Sequence, residues 1–375
     1  MPSFLAARRA SVLLICLVMS AVVTADTTRF PAFPEDPTSH RWEKVGAGVY
    51  AFISPIGITP IVSGNSMVVI GDDSVLVVDT GQFPSLARAE IAQIRNLTSL
   101  PVRYIVTTHW HPDHWAGNGE FAHAYPGISI IATENTRTFA LSHGTPFVSP
   151  EYPQRILKAL NKLLASGKHG DGKPVLPSEI PYLQMAKVQF EAFAPELASA
   201  ALVYPNVVFS DNLDLYLGKR LVQVKFLGRG NTGGDAVVYV PDAKIVAAGD
   251  LIVNPYPYGT GSFYGEWLTT LQKIARIDAD TIVPGHGPVE HDKTYLARLI
   301  RLLQSVMTEV AIAVRDGLSV EATQKKVTLA DAKAEFCAGR PFQSWCESSF
   351  ENNFIVPAIT RSYQEQKTGP LKSED

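Results

Sequence analysis

The stretch Thr107-Thr108-His109-Trp110-His111-Pro112-Asp113-His114 places three imidazoles and one carboxylate within six residues. Neutral imidazole and ionised carboxylate are the ligands that zinc and similar divalent ions prefer. In an extended or looped segment His109 and His111 project to the same side. Asp113 and His114 follow a turn later and can address a second centre. Only 9 of the 375 residues are histidine, so three of them in one short run is not compositional scatter. The competing reading is a polar surface loop. Beside Trp110 and Trp115, however, unmetallated imidazoles would need many hydrogen-bond partners, and the metal reading prevails.

The elements around this run must hold it at a strand end. Val102-Arg103-Tyr104-Ile105-Val106 reads as a short buried strand, and Pro112, with no backbone N–H and a fixed φ, forbids its regular continuation. The polar side chains therefore sit on a loop leaving the strand. Upstream, Ser66–Ile70 and Val75–Gly81 are apolar runs joined by Gly71-Asp72-Asp73-Ser74, which reads as a hairpin. The second run is apolar on consecutive positions, so both its faces are covered. A helix with Ala87, Ile91 and Ile94 on one face follows. Downstream come a strand at 128–132, two helical stripes (Ile156, Leu160, Leu163, Leu164, then Leu183, Ala186, Phe190, Phe193) separated by a linker at 166–173, a strand at 206–209 and a hairpin over 213–226. A strand from Lys244 ends at Asp250. The aromatic loop Asn254–Gly259 is expected either to line a substrate mouth or to pack as an ordinary loop. A short strand ends at Gly285-His286-Gly287, where glycines let the backbone turn sharply. The stripe Leu296, Leu299, Leu303, Val306, Val310, Ala313 marks a long helix that packs on the core, with a dimer seam as the alternative.

His-x-His-x-Asp-His after a strand resembles the signature of the metallo-β-lactamase-fold hydrolases, over roughly residues 45–290. The resemblance implies an α/β (α+β) fold, a four-layer αββα sandwich, here with a helical insertion at about 135–204 and a C-terminal helical extension over 291–375. It implies that His109, His111, Asp113 and His114 ligate metal, that Asp250 bridges two ions, and that His286 is the last ligand. It also implies that Asp79, at the end of a buried strand, supports the ligand loop from behind. A turn-capping Asp is the alternative for that residue. In Leu227-Gly228-Arg229-Gly230-Asn231-Thr232-Gly233-Gly234-Asp235 the chain departs from the family, because Asn231 stands where a further ligand histidine is expected. Three outcomes are physically open. Asn231 ligates through its weaker amide oxygen, or leaves that site to two histidines, Asp250 and water, or turns its NH2 toward the pocket to stabilise an oxyanion.

A chain of 375 residues with 46% hydrophobic content can bury a large core, and the net charge of −3 with no basic run gives no nucleic-acid footprint. The first 25 residues differ in kind. Arg8-Arg9 precede the apolar run Val12–Val23, and Val23-Thr24-Ala25 resembles a small-residue cleavage site, so a secretory signal removed before Asp26 is expected. A membrane anchor is the alternative, but the run is short of the ~20 residues of a span. Residues 26–44 read as an extended lead-in. Removal of the signal takes Cys16 and leaves Cys337 and Cys346, eight residues between them. In an oxidising compartment these two suggest a disulfide rather than free thiols. Asn96-Leu97-Thr98 would be a glycosylation acceptor only in a eukaryotic secretory route.

The expected function is an exported, periplasmic or secreted metal-dependent hydrolase. Its cofactor is one or two zinc ions, with manganese or iron as alternatives. Metal lowers the pKa of bound water from 15.7 to about 7, and the resulting hydroxide, oriented by Asp113, would attack a carbonyl-type small molecule such as a β-lactam, ester, thioester, lactone or amide. Asp113 and Asn231 are the candidate catalytic residues. Two other classes remain: a non-haem-iron oxidoreductase, since two histidines and a carboxylate suit iron, and a metal-binding protein without catalysis. No stable membrane insertion is expected after signal cleavage, and any oligomer would form through the C-terminal helix.

Overall fold

In the strands next to the central run, consecutive apolar residues serve two different layers. Met67 and Val69 face the interior between two sheets, while Val68 faces the opposite side, and Leu76 and Val78 alternate with Val75 and Val77 in the same way. This is the period-2 geometry of a strand covered on both faces. The computed structural model describes residues 40–54, 63–149, 151–169, 172, 174–177, 179–197, 200–339 and 343–374. The expected signal at 1–25, the lead-in up to residue 39, and Gly170, Asp171 and Lys173 of the linker lie outside the described residues.

Seven strands form the first sheet in sequential order: β1 (Arg41–Gly46), β2 (Val49–Ile53), β3 (Ser66–Ile70), β4 (Val75–Val78), β5 (Val102–Val106), β6 (Ser129–Thr133) and β7 (Val207–Phe209). The pairs from β1 to β4 are antiparallel and those from β4 to β7 parallel. The second sheet has five strands, β8 (Asn212–Leu217), β9 (Arg220–Phe226), β10 (Ala236–Val240), β11 (Ile245–Val253) and β12 (Thr281–His286), in the order β12-β11-β10-β9-β8. Only β11 and β12 run parallel within it.

The inner faces of the two sheets share one apolar cluster, with Val49, Leu76, Val106 and Ile131 from the first and Val222, Val238, Ile245 and Val283 from the second. Helices α1 (Pro84–Leu97), α2 (Pro112–Trp115) and α3 (Asn118–Ala124) lie on the first sheet's side, and Ala87, Ile91, Ile94 and Phe121 cover its outer face. α4 (Glu134–His143), α5 (Glu151–Ser166) and α6 (Ile180–Leu197) follow β6. Phe193 of α6 stacks on Phe83 with ring centres 4.4 Å apart, which seats the insertion against α1. The outer face of the second sheet is covered by α7 (Tyr264–Ala275), α8 (Thr294–Arg315) and the C-terminal helices α9 (Val320–Lys326), α10 (Ala330–Cys337), α11 (Gln343–Phe350) and α12 (Val356–Thr368). The fold is thus the expected four-layer αββα sandwich. The apolar stripe of α8 is buried within the chain, packed with Trp267 and Ile359. Cys337 and Cys346 form a disulfide in this layer.

Three local expectations are corrected. β1 begins at Arg41, inside the expected lead-in. Its charged, half-exposed pattern suits a sheet edge and hides it from an apolar-run reading. Pro112 does not simply break the chain but opens the short helix α2 at its first position, where a missing N–H costs nothing. Asp250 does not end its strand, for β11 runs on to Val253. The irregularity there is internal: Gly249 has φ +51, and the pairing with β12 shifts register on either side of it.

One buried carboxyl lies behind β3. Glu90 of α1 accepts a 2.5 Å hydrogen bond from Ser66 Oγ, and burial raises its pKa to about 8. A carboxyl with a raised folded-state pKa favours folding while protonated, so this contribution is present at low pH and is lost as pH climbs from about 4.5 to about 8. Glu90→Gln is therefore expected to match the parent near pH 5 and to exceed it near pH 8.5 by on the order of a few kcal/mol in denaturant unfolding. A constant difference across that range would remove Glu90 as the titrating group.

Candidate metal centre

Strand ends and loops from both sheets converge at one edge of the sandwich. Gly64 N donates to Asp113 O, Thr80 N to His114 O, and Ala236 N to Thr108 O, at 2.7–2.8 Å. Asn65 ties the β3 entry to the end of β12 through Nδ2 bonds to Pro284 O and Gly287 O at 3.0 and 2.9 Å. These bonds fix the loop after β5 against β12 and the start of β10.

Asp79 organises the ligand loop. It is one of three non-glycine residues with positive φ among the described residues, at 58°. Its Oδ1 accepts from Thr108 N, and its Oδ2 accepts from Thr108 Oγ1 and His114 Nδ1, each at 2.8 Å. The consequences can be followed proton by proton. His114 Nδ1 must carry a hydrogen, which leaves Nε2 to face the site. Thr108 Oγ1 spends its hydrogen on Asp79, so at 3.0 Å it can only accept from His109 Nδ1, and His109 Nε2 also faces inward. Asp79 therefore sets the tautomers of both rings, as a carboxylate behind ligand imidazoles does. Thr108 relays this, a role that sequence reading missed because a Thr beside a His carries no signal until its partner is placed.

The inward atoms form two groups, His109, His111 and Asp250 in one and Asp113, His114 and His286 in the other, with the donor atoms of each group within 4.8 Å of one another. His109 Nε2 lies 2.9 Å from His111 Nδ1 and 3.6 Å from Asp250 Oδ2. In the second group His286 Nε2 lies 3.2 Å from His114 Nε2 and 3.1 Å from Asp113 Oδ2. Asp250 Oδ1 sits 3.2 Å from His114 Nε2 and 3.4 Å from His286 Nε2, so its two oxygens address different groups. Donors held at about 2.0–2.1 Å around a tetrahedral ion lie about 3.3 Å from each other, and these spacings fit. Six donor groups converging at these distances, together with a buried Asp250 Oδ1 that has no hydrogen-bond partner among the described residues, are what a divalent ion would satisfy.

Backbone conformation makes this approach possible. A Cβ on Gly285 would lie 2.0 Å from Asp250 Oδ1, and one on Gly249 would meet Thr108 Oγ1 at 2.6 Å.

Asn231 is buried in the turn before β10. Its Nδ2 donates to Tyr258 O at 2.7 Å, and because a carbonyl only accepts, this contact fixes the amide orientation. Its Oδ1 is buried without a hydrogen-bond partner among the described residues. One amide hydrogen is thus committed to Tyr258 O, while among the described residues nothing engages the oxygen. His143 and His169 are placed elsewhere, His143 stacked on Phe139 and His169 paired with Glu179 at 3.1 Å. The 254–259 loop divides. Tyr256 packs in the core against Phe350, whereas Tyr258, 39% exposed, sits 6.1 Å from the His111 ring, which Trp110 approaches at 4.6 Å.

Charge within the metal-free cluster is unevenly shared. Burial alone would lower His286, but Asp250 and Asp113 outweigh it and hold the ring at about 9. Burial likewise opposes protonation of His114, and Asp250, Asp113 and Asp79 carry it well above its ordinary value. Burial and neighbouring imidazoles push His109 well down, and burial lowers His111. Burial would raise Asp250, yet His286, His114 and His109 take it well below the carboxylate range. The second group therefore holds protons more readily than the first. Ligation there must displace protons, so metal binding to the second group is expected to release at least one proton and to weaken as pH falls below about 9. Calorimetric titration in buffers of different ionisation enthalpy reads this number directly, and zero release would contradict it.

Residues 59–286 match the metallo-beta-lactamase superfamily. A linear primary-alkylsulfatase of Pseudomonas sp. is 24% identical over 250 residues, 64% of this chain and 44% of that protein. A metallo-beta-lactamase type 2 of Bacillus sp. is 29% identical over 97 residues, 24% of this chain and 37% of that enzyme. A solved stereoselective inverting sec-alkylsulfatase of Pseudomonas sp. superposes on 87% of this chain and 50% of its own with a TM-score of 0.59 at 16% identity, which concerns the fold alone. The chain spans less than half the length of the curated relatives it matches.

Proposed function

We propose, since the chain belongs to the metallo-beta-lactamase superfamily, that it hydrolyses a small ester-type molecule at a two-metal centre, with zinc as the first choice of ion. The observation that carries this reading is the pair of ligand groups joined by Asp250. His109, His111 and Asp250 would hold one ion, with Asn231 Oδ1 or water completing its sphere, and Asp113, His114, His286 and Asp250 the other. A bound divalent ion supplies water made acidic enough to lose a proton near neutral pH, and positive charge for a developing oxyanion. The chain's own residues do the rest. Asp113, the more exposed of the two acids at 20% of its side chain against 5% for Asp250, receives and orients the attacking water's hydrogen. Asp79 and Thr108 keep the imidazole lone pairs aimed inward. Trp110 and Tyr258 offer an aromatic rim to the apolar part of a substrate.

Among substrates we place esters of apolar alcohols first, sulfate esters included, and then thioesters, lactones, amides and β-lactams. The alkylsulfatase likeness runs over more of this chain than the β-lactamase likeness does, and the aromatic rim suits an apolar group. Export, to a periplasm or the exterior, fits the disulfide between Cys337 and Cys346 and the apolar N-terminal run. No helix among the described residues is long and apolar enough to cross a membrane.

The test is a panel of p-nitrophenyl acetate, p-nitrophenyl sulfate, a linear alkyl sulfate and a chromogenic cephalosporin, run with the parent protein before and after metal stripping. Turnover lost on stripping and restored by zinc supports the reading. Two bound ions with no turnover of any member would leave a metal-binding protein without catalysis. One observation favours a second reading: two histidines and Asp250 at the first centre, with no third histidine, also suit iron. Predominantly iron in the purified protein, with oxygen consumption, would put an oxidoreductase in place of the hydrolase.

A further inference from the structure

The segment Leu371–Glu374 is remote in sequence from the ligand loops, yet it is fastened to two of them. Trp110, between the two histidines of the first centre, donates Nε1–H to Glu374 Oε2 at 2.6 Å. Gly233 N, two residues beyond Asn231, donates to Glu374 Oε1 at 2.6 Å. One carboxylate thus joins the loop that carries His109 and His111 to the turn that carries Asn231, each oxygen taking one donor. Both bonds are short and charge-assisted, the stronger class of hydrogen bond.

The segment is itself anchored on rigid elements. Arg361 of α12 donates Nη2 to Ser373 O at 2.7 Å, Nη1 to Glu374 O at 3.2 Å and Nε to Ser262 O at 2.8 Å. Arg229, just before the Asn231 turn, donates Nη2 to Leu371 O at 3.0 Å and pairs with Glu266 of α7. Ser262 in turn donates Oγ to Asn231 O at 3.0 Å. On the other side, the Trp110 ring packs 4.6 Å from that of His111, and Trp115 Nε1 donates to Trp110 O at 2.7 Å. The indole is therefore held at its backbone and at its N–H, and its ring borders that of His111.

We propose that Glu374 is a positioning residue for the first metal centre, fixing the spacing between the His109–His111 loop and the Asn231 turn through its two oxygens. This rests on the two-metal reading of the site. It explains how a centre lacking a third histidine keeps its remaining donors in place: the turn that carries Asn231 is pinned from outside.

Glu374→Gln is the discriminating change. The amide keeps the shape but has one acceptor, so its NH2 must face either the Trp110 or the Gly233 N–H, donor against donor. Zinc affinities of the full chain are measured by chelator competition, with thermal midpoint and the Trp110 indole N–H resonance followed in parallel. The expected result is a loss of about ten-fold or more in affinity for one of two ions, an unchanged affinity for the other, an unchanged midpoint and a shifted indole resonance already in the metal-free chain. Trp110→Phe should weaken the same ion, and the double variant should lose less than the sum of the two, because both remove one contact. Unchanged affinities for both ions would overturn the proposal. So would loss of both ions in step with a lowered midpoint, which would make Glu374 only part of the fold. A parent chain that binds fewer than two ions would overturn the two-metal reading and this proposal together, and is told apart from the other failures because it appears before any substitution.

Discussion

Asp250→Ala is expected to cost both metal ions at once and to lower kcat/KM by more than about 100-fold, beyond the 10–100-fold typical of losing an outer partner of a ligand. Among the described residues, Asp250 is the acid whose two oxygens reach different groups, Oδ2 toward His109 at 3.6 Å and Oδ1 toward His114 and His286 at 3.2 and 3.4 Å. Removing it takes a ligand from each centre. It also removes the negative charge that balances the imidazoles of the second group. Asp250→Asn should recover the shape without the charge or the second strong donor, and so should regain little. Asp250→Glu should fare no better, since Gly285 already passes close to the Asp250 carboxylate and an added methylene would displace its oxygens. Elemental analysis of each variant beside its turnover decides the matter. Asp250→Ala retaining two ions per chain would show that Asp250 bridges nothing.

Gly285→Ala is expected to be nearly as damaging although it adds a single methyl group next to a ligand and not on one. The new Cβ would lie 2.0 Å from Asp250 Oδ1, 2.7 Å from Gly249 C and 2.8 Å from Asp250 N. Two of these are backbone atoms of β11, held by pairing with β12 at Gly249 and Pro284, so no flexible side chain can give way. Either the strands separate or Asp250 and His286 move. Overpacking of this kind costs about 1–3 kcal/mol of stability, occasionally more, and a displacement on the order of 1 Å at reacting groups costs about 100-fold in rate. Both a lowered thermal midpoint and loss of the second ion are therefore expected in Gly285→Ala. A variant with parental stability and metal content would mean that the strands are less tightly apposed than these distances require.

The same two residues show how much of the site could be read before the fold was known. His109, His111, Asp113 and His114 were legible because their types and spacing are local, His286 only through the family resemblance, and the period of Ser66–Ile70 and Val75–Val78 was enough to place a doubly covered sheet behind them. Asp250 was legible as a ligand candidate but not as a residue inside a continuing strand, because the cause of its position is the close passage of Gly285 and the positive φ of Gly249, both cross-strand facts. β1 escaped because an edge strand with Arg41, Glu43 and Lys44 lacks an apolar run. Thr108 and Glu374 could not be found at all from sequence, since each acts through a partner, Asp79 29 residues away in one case and Trp110 264 residues away in the other. Asn231 stood out only by its departure from an expected histidine. The structure adds which of its amide atoms is already engaged.

The most direct test of the central claim is the number of divalent ions per chain in the purified protein, measured by elemental analysis after removal of loosely bound metal. Close to two, with zinc predominant, is the result expected of His109, His111 and Asp250 beside Asp113, His114 and His286. One ion or none would contradict a two-metal centre and leave the convergence of these six side chains to be explained by protons alone.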